Sequence, residues 1–223
     1  KAKLSTEAVE VGEHMTVRAI AVFGLGVALT LGACRTDREV TSPEPVPVTD
    51  KLVASGILTG EDLPDGWVEA AEPAPINTDV IADHRCDDKL KDLEPKESAS
   101  VAFDLGEVHL SNSVAYFPGG GGAVEDLFRD IAEDCKQVVL TDQGLSIRTL
   151  GLNFGVLSND TLPIRFEFEP DVGPITETDM ILIRKGDLVS IVRLDGLRPS
   201  DKALLDTAVR VSIGRLGAID AQI

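Results

Sequence analysis

The sequence predicts an α+β domain with a mainly antiparallel sheet of about five to six strands and helices packed against it. Strand-like segments follow one another across single glycines at Gly106 and Gly186, and such short connections are typical of β-hairpins. Apolar residues recur at helical spacing in two other segments, 123–138 and 200–216, which predicts two amphipathic helices. Because hairpins give antiparallel pairing, we expect the strands to form an antiparallel sheet. We expect the apolar sides of the two helices to pack against the faces of this sheet.

Six segments have the length and composition of strands. The segments 180–183 and 188–192 carry apolar residues on both faces, so we expect their strands to be central and covered on both faces. The predicted strands are 98–105, 107–117, 146–150, 162–169, 176–185 and 187–194.

The helix predicted over 123–138 has Glu125 and Asp126 in its first turn, where the helix dipole favours acidic side chains. Its apolar positions continue to Cys135, which we therefore expect on the inward face. Gly119 to Gly122 precede this helix. We expect them to form a flexible connector rather than a phosphate site, because the two acids would repel an anion.

Residues 19–33 form an apolar run that only Thr30 interrupts, and Arg18 supplies a positive charge just before it. The run has about 15 residues, which is shorter than the roughly 20 needed to cross a bilayer but matches a signal-peptide core. It ends in Leu-Gly-Ala-Cys at 31–34, which resembles the lipobox of bacterial lipoproteins. The resemblance implies that Cys34 is acylated and that the preceding peptide is removed. The alternative, a short buried helix ending in cysteine, is disfavoured by the charge and proline that follow.

The chain is therefore predicted to have three parts. Residues 1–33 are a leader and signal peptide, with Met15 expected as the natural start of translation. Residues 34–50 are a lipid-anchored tether, in which three prolines favour an extended chain. Residues 51–223 form a single globular domain.

Acylation of Cys34 would leave two cysteines, Cys86 and Cys135. An even remainder in an exported chain predicts a disulfide, and two separate buried thiols are the alternative. His84 lies close to Cys86, but the spacing fits no zinc pattern, so we expect no metal site.

The formal net charge is −17. Such a surface repels phosphate backbones, so nucleic-acid binding is disfavoured. High charge of one sign also favours solubility, and it would attract a cationic partner.

No motif for catalysis or for a cofactor occurs, since the sequence lacks both Gly-x-Ser-x-Gly and Ser-x-x-Lys. The domain is therefore predicted not to be an enzyme and to need no cofactor. A hydrolase without a recognisable motif is the weakest alternative.

One polar strand face is a candidate ligand groove. His109, Ser111 and Ser113 alternate along one predicted strand, so they share a face. If Arg165 and Glu167 of a later strand face the same way, the five side chains would line a small polar groove. The alternative is an exposed sheet edge with no ligand.

The layout resembles a group of actinobacterial lipoproteins and the PknH-type extracellular sensor domain. The residues that carry the resemblance are Leu-Pro-Asp-Gly-Trp at 63–67, after the proline-rich tether, and Phe-Arg-Asp-Ile-Ala-Glu-Asp-Cys at 128–135. The resemblance implies an antiparallel sheet flanked by helices and a sensing or ligand-binding role. The single cysteine pair and the lack of a kinase segment in this sequence argue against direct kinase signalling.

These observations predict a membrane-anchored extracytoplasmic lipoprotein that acts as a ligand-binding or sensor module. Its expected partners are the membrane, through the N-terminal lipid, and a small or lipidic ligand or an envelope protein. The alternative is a structural or interaction protein that engages a cell-envelope partner through its acidic surface.

Overall fold

A single antiparallel sheet of eight strands forms the centre of the domain in a computed structural model of the chain. The structure describes residues 46–71, 94–134, 136–140, 144–152, 154, 160–197 and 202–223. The strand order is β1-β2-β3-β8-β7-β6-β5-β4. The strands are β1 (Val68–Glu69), β2 (Glu97–Leu105), β3 (Val108–Tyr116), β4 (Gln137–Leu140), β5 (Leu145–Gly151), β6 (Thr161–Pro170), β7 (Thr176–Lys185) and β8 (Leu188–Leu197).

Three α-helices and one short 3-10 helix accompany the sheet in the described ranges. They are α1 (Asp50–Ala54), the 3-10 helix (Gly60–Asp62), α2 (Gly121–Asp134) and α3 (Lys202–Asp220). None of these helices is long and apolar enough to cross a membrane.

The predicted fold class was wrong, because the domain is mainly β and its sheet has eight strands rather than five or six. The six predicted strands do not include β1 and β4, which contain two and four residues, too few for alternation to mark them as strands. The prediction assigned Val138 to the preceding helix, but α2 ends at Asp134. Valines favour extended backbone, and Val138 and Val139 pair with β5 instead.

The two predicted hairpins are present. Leu105 is paired with Val108 and Lys185 with Leu188, so each turn has two residues. Gly106 and Gly186 have φ of 63° and 56°, the left-handed conformation that such hairpin turns require. Each turn places its two strands side by side, and the pairing of β3 with β8 joins the two hairpins within the sheet.

The sheet is covered on both faces, and we name each face after its helix. On the α3 face, β3, β7 and β8 pack against α3 through a large apolar cluster that includes Leu110, Ile181, Leu194 and Leu205. On the α2 face, smaller clusters include Phe166, Met180 and Leu182. Residues 180–183 are buried on both faces, which confirms the prediction that this strand is central.

The segment before β1 is fixed to the α3 face. Val53 and Leu58 are buried in the main cluster, and the Leu58 amide donates a hydrogen bond of 2.9 Å to Asn112 Oδ1 on β3. Arg215 of α3 donates to the Ile57 carbonyl and lies 2.6 Å from Asp62. The helix at the start of this segment begins at Asp50, one residue before the predicted start of the domain.

The leader, residues 34–45 of the tether and all three cysteines lie outside the described residues. Lipid attachment at Cys34 and the Cys86–Cys135 disulfide therefore stay predictions from the sequence.

Candidate functional site

His109, Ser111 and Ser113 alternate along β3 and lie on the α2 face of the sheet. Residues directly opposite one another in neighbouring strands share a face, and Ser113 is opposite Ser100 on β2. The Ser100 hydroxyl donates a hydrogen bond of 3.0 Å to Ser113 Oγ. Ser113 is therefore engaged by the neighbouring strand, and Ser111 is almost fully buried.

Arg165 and Glu167 lie on β6 and face the other way. The row of opposed residues that contains His109 continues through Asp195 and Thr178 to Phe166. Arg165 and Glu167 flank Phe166 in the sequence, so their side chains lie on the α3 face. The structure does not bring them together with His109, because a shift of one residue moves a side chain to the opposite face.

A row of polar residues crosses β2, β3, β8 and β7 on the α2 face. Asp104 is opposite His109, His109 is opposite Asp195, and Asp195 is opposite Thr178. Arg193, two residues before Asp195, joins this row through an ion pair of 2.8 Å between its Nε and Asp195 Oδ2. We call these five residues the polar row.

The contacts within the polar row fix the side chains of its members. His109 Nδ1 lies 2.6 Å from Asp104 Oδ1. The Thr178 hydroxyl donates a short hydrogen bond to Asp195 Oδ1, which also accepts from Arg193 Nε at 2.9 Å. Since each contact joins neighbouring strands or neighbours on one strand, the sheet itself holds the geometry.

The hydrogen bond to Asp104 sets the tautomer of His109. An ionised carboxylate can only accept hydrogen bonds, so Nδ1 carries the proton and Nε2 of the neutral ring has a free lone pair. Nε2 is buried and has no hydrogen-bond partner. Asp104 is half-exposed and the His109 side chain is 22% exposed, so the row reaches the surface at its β2 end.

A second charged cluster lies on the α3 face and was not predicted as a unit. Arg165 makes two hydrogen bonds to the fully buried Asp179, of 2.6 and 2.7 Å, and lies 3.0 Å from Glu177. Arg148 on β5 lies 3.0 Å from Glu167. We call these five residues the charge ladder, because they connect β5, β6 and β7.

The ion pairs of the charge ladder hold neighbouring strands together. Hydrogen bonding to Asp179 raises the pKa of Arg165 above its ordinary value, so this side chain stays cationic and cannot take part in proton transfer. The sequence signal for the ladder was the alternation of Glu177 and Asp179 on one strand with Arg165 and Glu167 on another. That signal becomes visible only when the register of the two strands is known.

Among the described side chains, neither a metal-ligand cluster nor a nucleophile bonded to His109 Nε2 is present. No group of three or more His, Cys, Asp or Glu residues among them is placed to hold a metal ion. His109 Nε2 has no partner, so no serine of the described ranges is paired with it as a nucleophile. What the polar row offers is a buried hydrogen-bond acceptor beside two carboxylates.

No known family profile matches the sequence, and no curated protein matches it. The structure is similar to the extracellular domain of PknH from Mycobacterium tuberculosis, with a TM-score of 0.49 and 12% identity over 80% of this chain and 100% of that chain. It is also similar to CalU16 from Micromonospora echinospora, with a TM-score of 0.27 and 12% identity over 56% of this chain and 85% of that chain. At these TM-scores the likenesses carry no argument about function.

Proposed function

We propose that the chain is an exported lipoprotein of the kind found in actinobacteria, whose domain is a non-enzymatic ligand-binding or sensor module. The observation that carries the proposal is the sequence around Cys34. Leu-Gly-Ala-Cys at 31–34 directly follows an apolar run of signal-peptide length, with Arg18 before it and a proline-rich stretch after it. The lipid on Cys34 holds the protein at the extracytoplasmic face of the cell membrane.

The polar row supports a binding role for the domain. Its side chains are held by neighbouring strands of a sheet with a buried core, and rigid elements of this kind position recognition groups well. His109 Nε2 is an acceptor without a donor, which a ligand can supply. Because no nucleophile is bonded to that nitrogen, binding is a better account of the row than catalysis.

Metabolic labelling of the full chain with an alkyne analogue of palmitate tests the anchor. In a bacterial host that acylates lipoproteins, we expect the wild-type chain to be labelled and to fractionate with membranes. Cys34→Ser should lose the label and accumulate with its leader uncleaved. Cys135→Ser is the matched control and should keep the label per mole of protein. An unlabelled wild-type chain, or a labelled Cys34→Ser variant, would reject the anchor.

Native mass spectrometry of the full chain purified from bacterial membranes tests the binding role. A small molecule that remains bound at stoichiometric level supports a ligand-binding module. A chain that carries only its lipid but copurifies with one envelope protein would instead favour an interaction protein.

One observation favours that second candidate. The exposed side of α2 carries four carboxylates and one arginine: Asp126, Arg129, Asp130, Glu133 and Asp134. A helix face of this composition could engage a basic partner. Replacing Asp126, Asp130 and Glu133 by Asn or Gln should then abolish copurification, whereas a ligand-binding module would keep its bound ligand in the same variant.

A further inference from the structure

His109 Nε2 is an unusual atom in this domain, because buried polar atoms in folded proteins nearly always have a hydrogen-bond partner. Only three side-chain atoms in the described ranges are buried without a hydrogen-bond partner: His109 Nε2, Arg148 Nε and Ser212 Oγ. Of these, only His109 Nε2 belongs to the polar row. Asp104 fixes the tautomer that leaves Nε2 as an acceptor. A partner for this atom must therefore donate a hydrogen.

The charges around Nε2 determine which donors are favoured. Asp104 and Asp195 lie on either side of His109 in the same row of the sheet. Arg193 is paired with Asp195, so with a neutral imidazole the row has one negative charge in excess. The chain as a whole has a net charge of −17, which further favours cations near this surface.

We propose that the polar row binds an organic cation that carries N–H groups, such as a guanidinium or a primary ammonium. Nε2 is enclosed when no ligand is bound, so binding requires the side chains that cover it to move, as interface side chains commonly do. One N–H then donates to His109 Nε2, and the positive charge is stabilised by the half-exposed carboxylate of Asp104. This proposal rests on the binding role proposed above and names the ligand class for it.

Nitrogen NMR of the full chain, labelled with ¹⁵N histidine and held in detergent, tests the proposal directly. The His109 signals are assigned by their loss in His109→Phe. We expect Nδ1 to have the chemical shift of a protonated nitrogen and Nε2 that of an unprotonated one. Methylguanidinium should shift the Nε2 signal in a saturable way. Tetramethylammonium has the same charge but no N–H group, and it should leave the signal unchanged.

Asp104→Asn is the decisive variant, because it keeps the shape of the side chain. The asparagine amide can donate to Nδ1, which would move the ring proton to Nε2 and convert the acceptor into a donor. We expect this variant to weaken methylguanidinium binding about tenfold or more, the loss of one charge-assisted hydrogen bond. Asp206→Asn on α3 removes one carboxylate from an exposed ion pair, and it should change the affinity less than about twofold.

Four results would overturn the proposal: a protonated Nε2 in the wild-type chain, no shift with methylguanidinium, equal shifts with both cations, or an unchanged affinity in Asp104→Asn. If the Nε2 signal does not respond although native mass spectrometry finds a bound molecule, this site is wrong and the binding role survives. If neither experiment finds binding, the cation site and the binding role of the domain are both wrong.

Discussion

Arg184 on β7 and Glu125 on α2 form an ion pair of 2.5 Å between Nε and Oε2. The Glu125 side chain is 11% exposed and that of Arg184 is 30% exposed, so water screens the pair only in part. Arg129, one turn further along the helix, donates to the other carboxylate oxygen at 2.7 Å. Glu125 thus joins the start of α2 to a central strand.

Arg184→Met should lower the free energy of unfolding by about 1–3 kcal/mol, because it leaves a largely buried carboxylate without its partner on the sheet. Arg210→Met is the matched control. Arg210 pairs with Asp206 on the exposed side of α3, and such a solvent-screened pair contributes little to stability. Urea unfolding at neutral pH measures both, and equal midpoints for the two variants would contradict the prediction.

The same pair predicts a dependence of stability on pH. Hydrogen bonding to Arg184 lowers the pKa of Glu125 below its ordinary value of 4.5. The stabilisation is therefore complete above about pH 4.5 and is lost as the pH falls through the lower pKa of the folded state. Glu125→Gln should be less stable than wild type at pH 7, and the difference should shrink on acidification.

Some pH dependence should remain in Glu125→Gln, because hydrogen bonding to Lys185 also lowers the pKa of Asp160. Urea unfolding at several pH values between 7 and the acid transition measures the profile of each protein. Profiles of Glu125→Gln and wild type that run parallel through the acid range would contradict the assignment to Glu125.

Two adjacent glycines at the start of α2 should respond in opposite ways to alanine. A Cβ at position 121 would lie 2.3 Å from the Gly186 carbonyl oxygen and 2.9 Å from Asp187 Cα, whereas a Cβ at Gly122 would meet no atom within 4 Å. Gly121→Ala should destabilise by about 1–3 kcal/mol, since backbone must move. Gly122→Ala should stabilise by up to about 1 kcal/mol through helix propensity.

Thermal unfolding followed by circular dichroism measures both glycine variants. Equal transition temperatures for the two variants would mean that Gly121 is not in close contact with the β7–β8 turn. The contact also corrects the expectation of a flexible connector at 119–122, since Gly121 is buried against that turn. Close approach of two backbones leaves no hydrophobic pattern, so the sequence could not reveal it.

Local patterns predicted the parts of the fold that depend on neighbours in the sequence. The turns at Gly106 and Gly186 and the apolar stripe of α3 need only the residues around them, and all three are present. The strand β4 was missed because Val138 and Val139 extend the apolar pattern of the preceding helix. Four residues at the edge of a sheet acquire their structure from β5, with which they pair.

The contacts of the candidate site depend on strand register, which local sequence patterns do not specify. His109 was identified from its alternation with Ser111, but its partners Asp104 and Asp195 come from two other strands. Their contact is set by the register of β2, β3 and β8. The hypothesis that Arg165 and Glu167 share a face with His109 was wrong for the same reason. The strand β6 is three strands away from β3, so its register relative to β3 depends on the pairing of β7 and β8.

The charge ladder predicts that Arg165 and Asp179 are strongly coupled in their effect on the free energy of unfolding. Asp179 is fully buried, so Arg165→Met would leave its charge poorly compensated, at a cost of about 3–5 kcal/mol. The double variant Arg165→Met, Asp179→Leu replaces the pair by apolar groups and should recover part of that loss, because Glu177 still loses its contact with Arg165. Urea unfolding of the four proteins of this cycle gives the coupling energy, and additive effects would contradict a direct interaction.

Arg215 should hold the segment 50–63 against the domain. Its guanidinium donates to the Ile57 carbonyl and pairs with Asp62 at 2.6 Å, while the Leu58 amide bonds to Asn112 at 2.9 Å. Arg215→Met removes the polar contacts of the guanidinium but keeps an unbranched apolar side chain. Amide hydrogens of 52–63 should then exchange about tenfold faster or more through local opening, and those of β7 and β8 should not change.

Hydrogen exchange with mass spectrometry measures this opening, with Arg210→Met as the control on the exposed side of the same helix. If the proposed anchor at Cys34 is correct, this segment is also where the tether meets the sheet. Faster exchange in both segment and sheet would mean that Arg215 acts on global stability instead. Unchanged exchange in 52–63 would show that the burial of Val53 and Leu58 is sufficient to hold the segment.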